Sequence, residues 1–333
     1  MRLNLALQGG GAHGAFTWGA LDRLLEEPSL EIAAISGTSA GAFNGAAVKA
    51  GLARGGAEAA RENLEWLWTK IAGVSDLRLT SWMNAFLPGA ALAAEFVEAA
   101  FPVVSAFEAI SPYAYGAFYR NPLDPVAQRF EFDKVRGAGG CGFFVSATNV
   151  RTGKIRVFGA DEVTPDVLLA SACLPTIFQA IEIDGEAYWD GGYTGNPALF
   201  PLFDPKLPDD ILIVNINPLE RPGVPRTTRD IQNRINEIGF NTSLLRELRA
   251  IAFVKRLIAE GTMAEGAMKD VGIHMVSDDD LMGRLSVATK LIPTLPIITE
   301  LRDAGRTAAQ RFLEADADKV GKGGSIDLMA MFG

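Results

Sequence analysis

The sequence predicts an α/β protein, and three observations carry that reading. Apolar runs of strand length alternate with longer runs of helical spacing. Glycine clusters mark two of the early strand-to-helix junctions, at residues 9–14 and 37–41. Asp184-Gly185 then sits between two short alternating runs, Ile181-Glu182-Ile183 and Ala187-Tyr188-Trp189, which is a strong hairpin signal. With 333 residues and 48% apolar content, the chain can bury a large core.

In order, Leu3 to Gln8 is expected as a buried strand and Ala15 to Glu26 as a helix, followed by a strand at Ile32 to Ile35 and a small-residue helix at Ala40 to Ala53. From Arg54 to Lys134 the pattern is mainly helical. Leu64, Trp66, Leu67 and Trp68 are assigned to packing, Ala90 to Phe101 to a buried helix, and Ser111 to Pro125 to a proline-punctuated connector. Strands are expected at Phe143 to Ala147 and Ile155 to Phe158, then a helix at Val167 to Cys173 ending before Pro175, then the hairpin. Beyond Arg221 the expected elements are a helix at Ile231 to Ala259, a late strand at Val271 to Val276 and a closing helix at Leu301 to Ala315. No linker is sharp enough to divide the chain, so a single domain is expected, with its motifs in about residues 3–220 and an extension over 221–333.

A net charge of -9 argues against nucleic acid as the main partner, because phosphate binding favours a basic surface. Cys141 and Cys173 lie in apolar contexts without metal-ligand spacing, so buried thiols are expected. The run Leu3-Asn4-Leu5-Ala6-Leu7 is too short for a signal-peptide core. The best candidate span, Ala90 to Ile110, is broken by Glu95, Glu98, Pro102 and Glu108. A cytoplasmic location is the expectation.

Gly37-Thr38-Ser39-Ala40-Gly41 has the Gly-x-Ser-x-Gly pattern of a nucleophile elbow, between a strand and a helix. The serine takes a strained turn there, flanking glycines let strand and helix close up, and the helix N-terminus favours developing negative charge. Gly9-Gly10-Gly11-Ala12-His13-Gly14 admits two readings. It spells the G-x-G-x-x-G fingerprint of a dinucleotide site, which also requires a ribose-binding acid at the end of the second strand. That strand ends in Ser36-Gly37-Thr38-Ser39, and its carboxylate, Glu31, stands at the other end. Beside a nucleophilic serine, the backbone N–H groups of such a loop suit an oxyanion. The second reading is therefore preferred.

Only two histidines occur, His13 and His274, so few Ser-His-Asp triads can be built. His13 falls within the glycine loop, where shaping the loop or touching substrate suits it better than acting as base, and His274 suits a structural role in a late strand. A carboxylate is the better base. Asp190, at the end of the hairpin and followed by Gly191-Gly192, is uncrowded and suited to accept a hydrogen bond at close range, although by itself the tripeptide reads as an Asp-Gly surface turn.

The three motifs at 9–14, 37–41 and 190–192, with Ala170-Ser171-Ala172-Cys173-Leu174-Pro175 and Phe178 between them, resemble the patatin-like phospholipase family over about residues 3–220. The resemblance implies a three-layer α/β/α fold with a mainly parallel central sheet, here with additional C-terminal helices. It implies a serine hydrolase of lipid acyl esters in which Ser39 is the nucleophile, Asp190 its base and Gly9, Gly10 and Gly11 form the oxyanion hole. His13 stands where many members have Arg and is expected to be a substrate-binding residue. No cofactor or metal is implied. The alternative is a lipid-binding or regulatory protein that keeps the fold without turnover. Residues 221–256 hold eight basic and three acidic side chains, an excess that suits either a solvated face or peripheral contact with anionic lipid.

Overall fold

A computed structural model describes residues 1–72, 111–137, 139–264, 266–285 and 287–332. The expected helix at Ala90 to Phe101 lies outside the described residues. Among the described residues the sheet has eight strands: β1 (Arg2–Leu7), β2 (Glu31–Thr38), β3 (Gly142–Asn149), β4 (Ile155–Gly159), β5 (Ile181–Ile183), β6 (Glu186–Asp190), β7 (Asp210–Val214) and β8 (Gly272–Val276). Their order is β5-β6-β3-β2-β1-β7-β8, with β4 also paired to β3. The five strands from β3 through β8 are mutually parallel, while β4, β5 and β6 join antiparallel.

Strand periodicity creates the layers. Leu3, Leu5 and Leu7 of β1 and Leu212 and Val214 of β7 point into one core, whereas Ala6, Ile211 and Ile213 point into a second core on the opposite face. The first core is covered by α1 (Gly14–Leu24), α2 (Ala40–Ala72), α3 (Pro165–Ser171) and α5 (Leu295–Ala315). The second is covered by α4 (Thr228–Ala259) and the short helix Leu328–Phe332. The result is the three-layer arrangement expected, with the C-terminal helices built into both layers. The closing helix α5 packs closely on α1: a Cβ on Gly305 would stand 2.0 Å from the Phe16 carbonyl oxygen. That crossing requires glycine.

Three elements differ from expectation. The helix expected to end at Ala53 continues to Ala72 after a break at Gly55-Gly56, and its second arm buries Leu64, Leu67 and Trp68. β7 was not anticipated, although all five of its residues are buried. In α4 the apolar set that the sequence offers for packing (Ile235, Ile238, Leu244, Leu245, Leu248, Ile251, Val254 and Leu257) splits. Leu244, Leu248 and Ile251 are buried, but Ile235 and Ile238 are exposed, because the buried stripe in the first half of the helix is polar: Asn233, Glu237 and Asn241. These three recur at i, i+4 and i+8; Asn241 reaches Gln8 and the Asn217 and Pro218 carbonyls behind the glycine loop, and Glu237 pairs with Arg221 and Arg234. Asp184 and Gly185 both have positive φ, as a tight hairpin turn demands.

Candidate active site

β3 has two edges, and its pairing decides where Ser39 and Asp190 meet. β4 covers one edge along Phe144–Thr148. The other edge pairs first with β2, up to Thr38 opposite Ser146, and then with β6, beginning at Asp190 opposite Ala147. β2 runs parallel to β3 and β6 antiparallel, so the two strands point at each other in a single lane of the sheet. Thr38 and Asp190 stand opposite consecutive residues. Ser39, the next residue, is delivered to the same place.

The elbow is held by local sequence. Ser39 adopts φ 53°, a left-handed conformation costly for a non-glycine residue. Its N–H donates to Ser171 Oγ at 2.8 Å, and that hydroxyl donates to the Ser146 carbonyl at 2.7 Å. Its carbonyl accepts from the N–H groups of Ala42 and Phe43 at the start of α2. A Cβ on Gly41 would lie 2.1 Å from the Leu7 carbonyl oxygen, and one on Gly9 would lie 2.7 Å from Ser39 Cβ. Both glycines allow backbone to approach the serine.

Asp190 is almost fully buried. Its N–H donates to the Cys173 carbonyl at 2.8 Å, and its carbonyl accepts from Thr148 Oγ1 at 2.8 Å, so the residue is fixed on both sides. Oδ1 accepts the Gly192 N–H at 2.7 Å. Burial pushes the carboxyl up from 3.8 to about 7, against the downward pull of the Gly192 N–H and the Ser39 side chain. Neighbouring Cys173 is a buried thiol pushed up to about 12, first by burial and then by the Asp190 charge, and Cys141 is pushed up to about 11 by burial. Both thiols stay protonated at neutral pH.

The glycine loop closes the other side. Gly9, Gly10 and Gly11 follow β1, and Gly11 begins a short 3-10 turn. The expectation of three donors narrows here, because the Gly9 N–H is taken by Asn196 Oδ1 at 2.7 Å. No described residue accepts from the N–H of Gly10 or Gly11. His13 is buried away from bulk solvent, with Nε2 at 2.7 Å from Thr289 Oγ1 and Nδ1 without a partner among the described residues. Burial first, and the Lys290 charge second, hold its pKa well below the usual histidine range, so the ring is neutral. His274 lies in β8, with Nε2 at 2.9 Å from Asp210 Oδ1 and Nδ1 at 3.2 Å from Ser325 Oγ. It is a satisfied histidine of the sheet. Glu31, the acid a dinucleotide site would need at the other end of β2, pairs with Arg2 at 2.8 Å. Among the described residues no three His, Cys, Asp or Glu side chains gather as metal ligands would, and no helix is long and apolar enough to cross a membrane.

The family model for patatin-like phospholipases matches residues 5–203, well over half of the chain. The chain belongs to the patatin-like phospholipase family. None of the curated proteins compared with it matches. Two solved structures resemble it loosely. VipD from Legionella pneumophila is 12% identical, with a TM-score of 0.44 covering 94% of this chain and 67% of that one. Full-length ExoU of Pseudomonas aeruginosa, solved with SpcU, is 15% identical, with a TM-score of 0.28 covering 99% of this chain and 76% of that one. The assignment rests on the family match, which supports lipid hydrolysis. Sequence reasoning missed Ser171, Asn196 and Asn217 as supports of the site. Recognising β7 would have offered Asn217, since residues beyond the carboxyl ends of parallel strands gather at sites.

Proposed function

We propose that this patatin-like protein is a serine hydrolase of lipid acyl esters in which Ser39 is the nucleophile and Asp190 its general base. The observation that supports this best is the single lane in which β2 and β6 end against each other, bringing a left-handed serine to a buried carboxylate. A serine hydroxyl is weakly nucleophilic until a base takes its proton as the bond forms. A carboxyl near pH 7 is partly ionised at neutral pH and far more basic than an exposed aspartate, which suits that work.

In this reading Ser39 Oγ attacks the acyl carbonyl, its proton passes to Asp190, and the carbonyl oxygen becomes an anion held by the Gly10 and Gly11 N–H groups. Collapse expels the alcohol, which takes the proton back from Asp190. Water, deprotonated by the same carboxylate, then attacks the acyl carbon, and the acyl–Ser39 bond breaks as Asp190 returns the proton to Ser39 Oγ. The fixed Ser39 and Asp190 backbones keep both groups placed through the two halves of the reaction. Exposed Ile231, Ile235 and Ile238 on one face of α4 are assigned in the same reading to peripheral contact with the lipid surface that holds substrate.

The test is to offer the protein chromogenic acyl esters of graded chain length and phospholipid vesicles, with a fluorophosphonate probe in parallel. Hydrolysis and labelling, both lost in Ser39→Ala at unchanged melting temperature, are expected. A wild-type protein that hydrolyses no ester and resists the probe would instead fit a lipid-binding protein without turnover.

A further inference from the structure

The glycine loop is braced from the far end of the chain, well outside the residues that the family model matches. The short helix Val287–Leu291 packs against it so closely that a Cβ on Gly11 would stand 2.3 Å from the Lys290 carbonyl oxygen. The Lys290 side chain turns inward as well. Its Nζ donates to Asn217 Oδ1 at 2.7 Å, beneath the Phe240 ring at 5.9 Å. Asn217 Nδ2 in turn donates to the Gly9 carbonyl at 3.0 Å and to Gln8 Oε1 at 3.2 Å. The orientation of the Asn217 amide is forced, since a flip would set its NH2 against the ammonium and against no acceptor at Nζ.

The Gly9 carbonyl belongs to the same peptide group as the Gly10 N–H. A donor on that carbonyl polarises the amide and strengthens the N–H on its other side, and hydrogen bonds in series reinforce one another. We propose that Lys290 is a positioning residue of the active site, its ammonium relayed through the Asn217 amide and the Gly9–Gly10 peptide to the Gly10 N–H that receives the oxyanion. The proposal rests on the serine-hydrolase reading above. Further links hold the same peptide in place: Asn196 Nδ2 reaches the Gly9 carbonyl at 3.3 Å, and Gln8 Oε1 accepts from the N–H groups of Ile216 and Asn217.

The placement of Lys290 is hard to account for as packing alone. Even partial burial of an ammonium costs solvation, and here it lowers Lys290 to about 8, still charged at neutral pH. Glu237, the nearby carboxylate, forms its hydrogen-bonded pairs with Arg221 and Arg234 instead. The neutral amide of Asn217 takes the short bond from Nζ. A charge held behind the loop contributes most in the transition state, when the oxygen beyond Gly10 becomes negative.

The experiment replaces the ammonium and keeps the stem, Lys290→Met. The full chain is labelled with carbonyl-13C and amide-15N glycine, so that only the six Gly-Gly pairs report: amides of Gly10, Gly11, Gly56, Gly140, Gly192 and Gly324. The Gly10 amide proton is expected to move upfield in the variant while those of Gly56, Gly140 and Gly324 stay in place. With an ester substrate, kcat is expected to fall about tenfold at constant KM, less than the ~10²–10³ lost when an oxyanion donor is deleted. In an Asn217→Ala background Lys290→Met is expected to cost nothing further, because the relay passes through Asn217, and the Gly10 shift separates polarisation from a purely structural contact. If Lys290→Met does not fold, Lys290→Gln is read in the same way. A folded variant whose Gly10 amide is unmoved, or whose kcat loss persists in full without Asn217, overturns the relay. A wild-type chain that hydrolyses no ester removes the hydrolase reading, and the Gly10 resonance still decides whether Lys290 polarises the loop.

Discussion

Asp190→Asn is expected to make the protein more stable while making it inactive, and the size of the gain follows from the carboxyl's environment. Burial raises Asp190 from 3.8 to about 7. A group whose folded pKa lies above its unfolded value contributes stability that is fully present below the unfolded pKa and lost as pH rises through the folded one. The window is therefore pH 3.8 to about 7. Across it the wild type loses about 1.4 kcal/mol per unit relative to a neutral isostere, reaching about 4 kcal/mol above pH 7. Asparagine keeps an oxygen for the Gly192 N–H and offers its NH2 to Ser39 Oγ, so it replaces the carboxyl without orphaning its partners. At about 2.1 cal/mol/K per residue, a 333-residue cooperative unit has an unfolding entropy near 0.7 kcal/mol/K, so about 4 kcal/mol is about 6 °C in Tm. Paired thermal melts of wild type and variant from pH 4 to pH 8.5 are the assay. The two are expected to coincide at pH 4 and separate in favour of the variant up to pH 7. A variant less stable than wild type at pH 8, or a gap independent of pH, refutes the buried, uncompensated carboxylate on which the mechanism depends.

The same pKa fixes the rate profile. With the ionised carboxylate as the proposed base, kcat/KM is expected to rise about tenfold per pH unit below 7 and level off above it, and a profile flat from pH 5 to 8 would contradict this. Ser171→Ala removes the acceptor of the Ser39 N–H and is expected to cost about 1–3 kcal/mol in denaturant melts and roughly 10- to 100-fold in kcat at little change in KM. Gly9→Ala puts a methyl 2.7 Å from Ser39 Cβ and 2.8 Å from the Thr38 carbonyl oxygen, so it should displace the elbow and slow fluorophosphonate labelling by more than about 10²-fold, measured by intact mass.

Much of this site was legible in sequence because its parts are local. A serine between glycines at a strand-to-helix junction, a glycine loop after the first strand and an aspartate at the end of an Asp-Gly hairpin each announce themselves within a few residues. Their convergence was not local. It depends on β6 occupying the lane that β2 vacates along β3, a pairing that no periodicity encodes. The supports were harder still to see. Asn196, Asn217 and Asn241 are single amides scattered over the chain, and Lys290 acts from the opposite end of the sequence to the loop it braces. α4 shows why hydrophobic counting misled there. Its inward face is polar where it meets those amides, so its isoleucines turn outward, and the pattern inverts halfway along one helix. β7 was missed for the opposite reason: a strand buried on both faces has no alternation to betray it.

The central claim is that a carboxylate, with no histidine, activates Ser39, and the chain has only His13 and His274 to supply the alternative. The most direct measurement is kcat of folded Asp190→Asn beside folded His274→Gln and His13→Gln on one ester. Asp190→Asn is expected to lose at least about 10²-fold, His274→Gln to match wild type, and His13→Gln to fall between through its hold on Thr289 beside the loop. A His274 or His13 variant that loses as much activity as Asp190→Asn, or an Asp190→Asn protein that keeps wild-type turnover, would contradict the account.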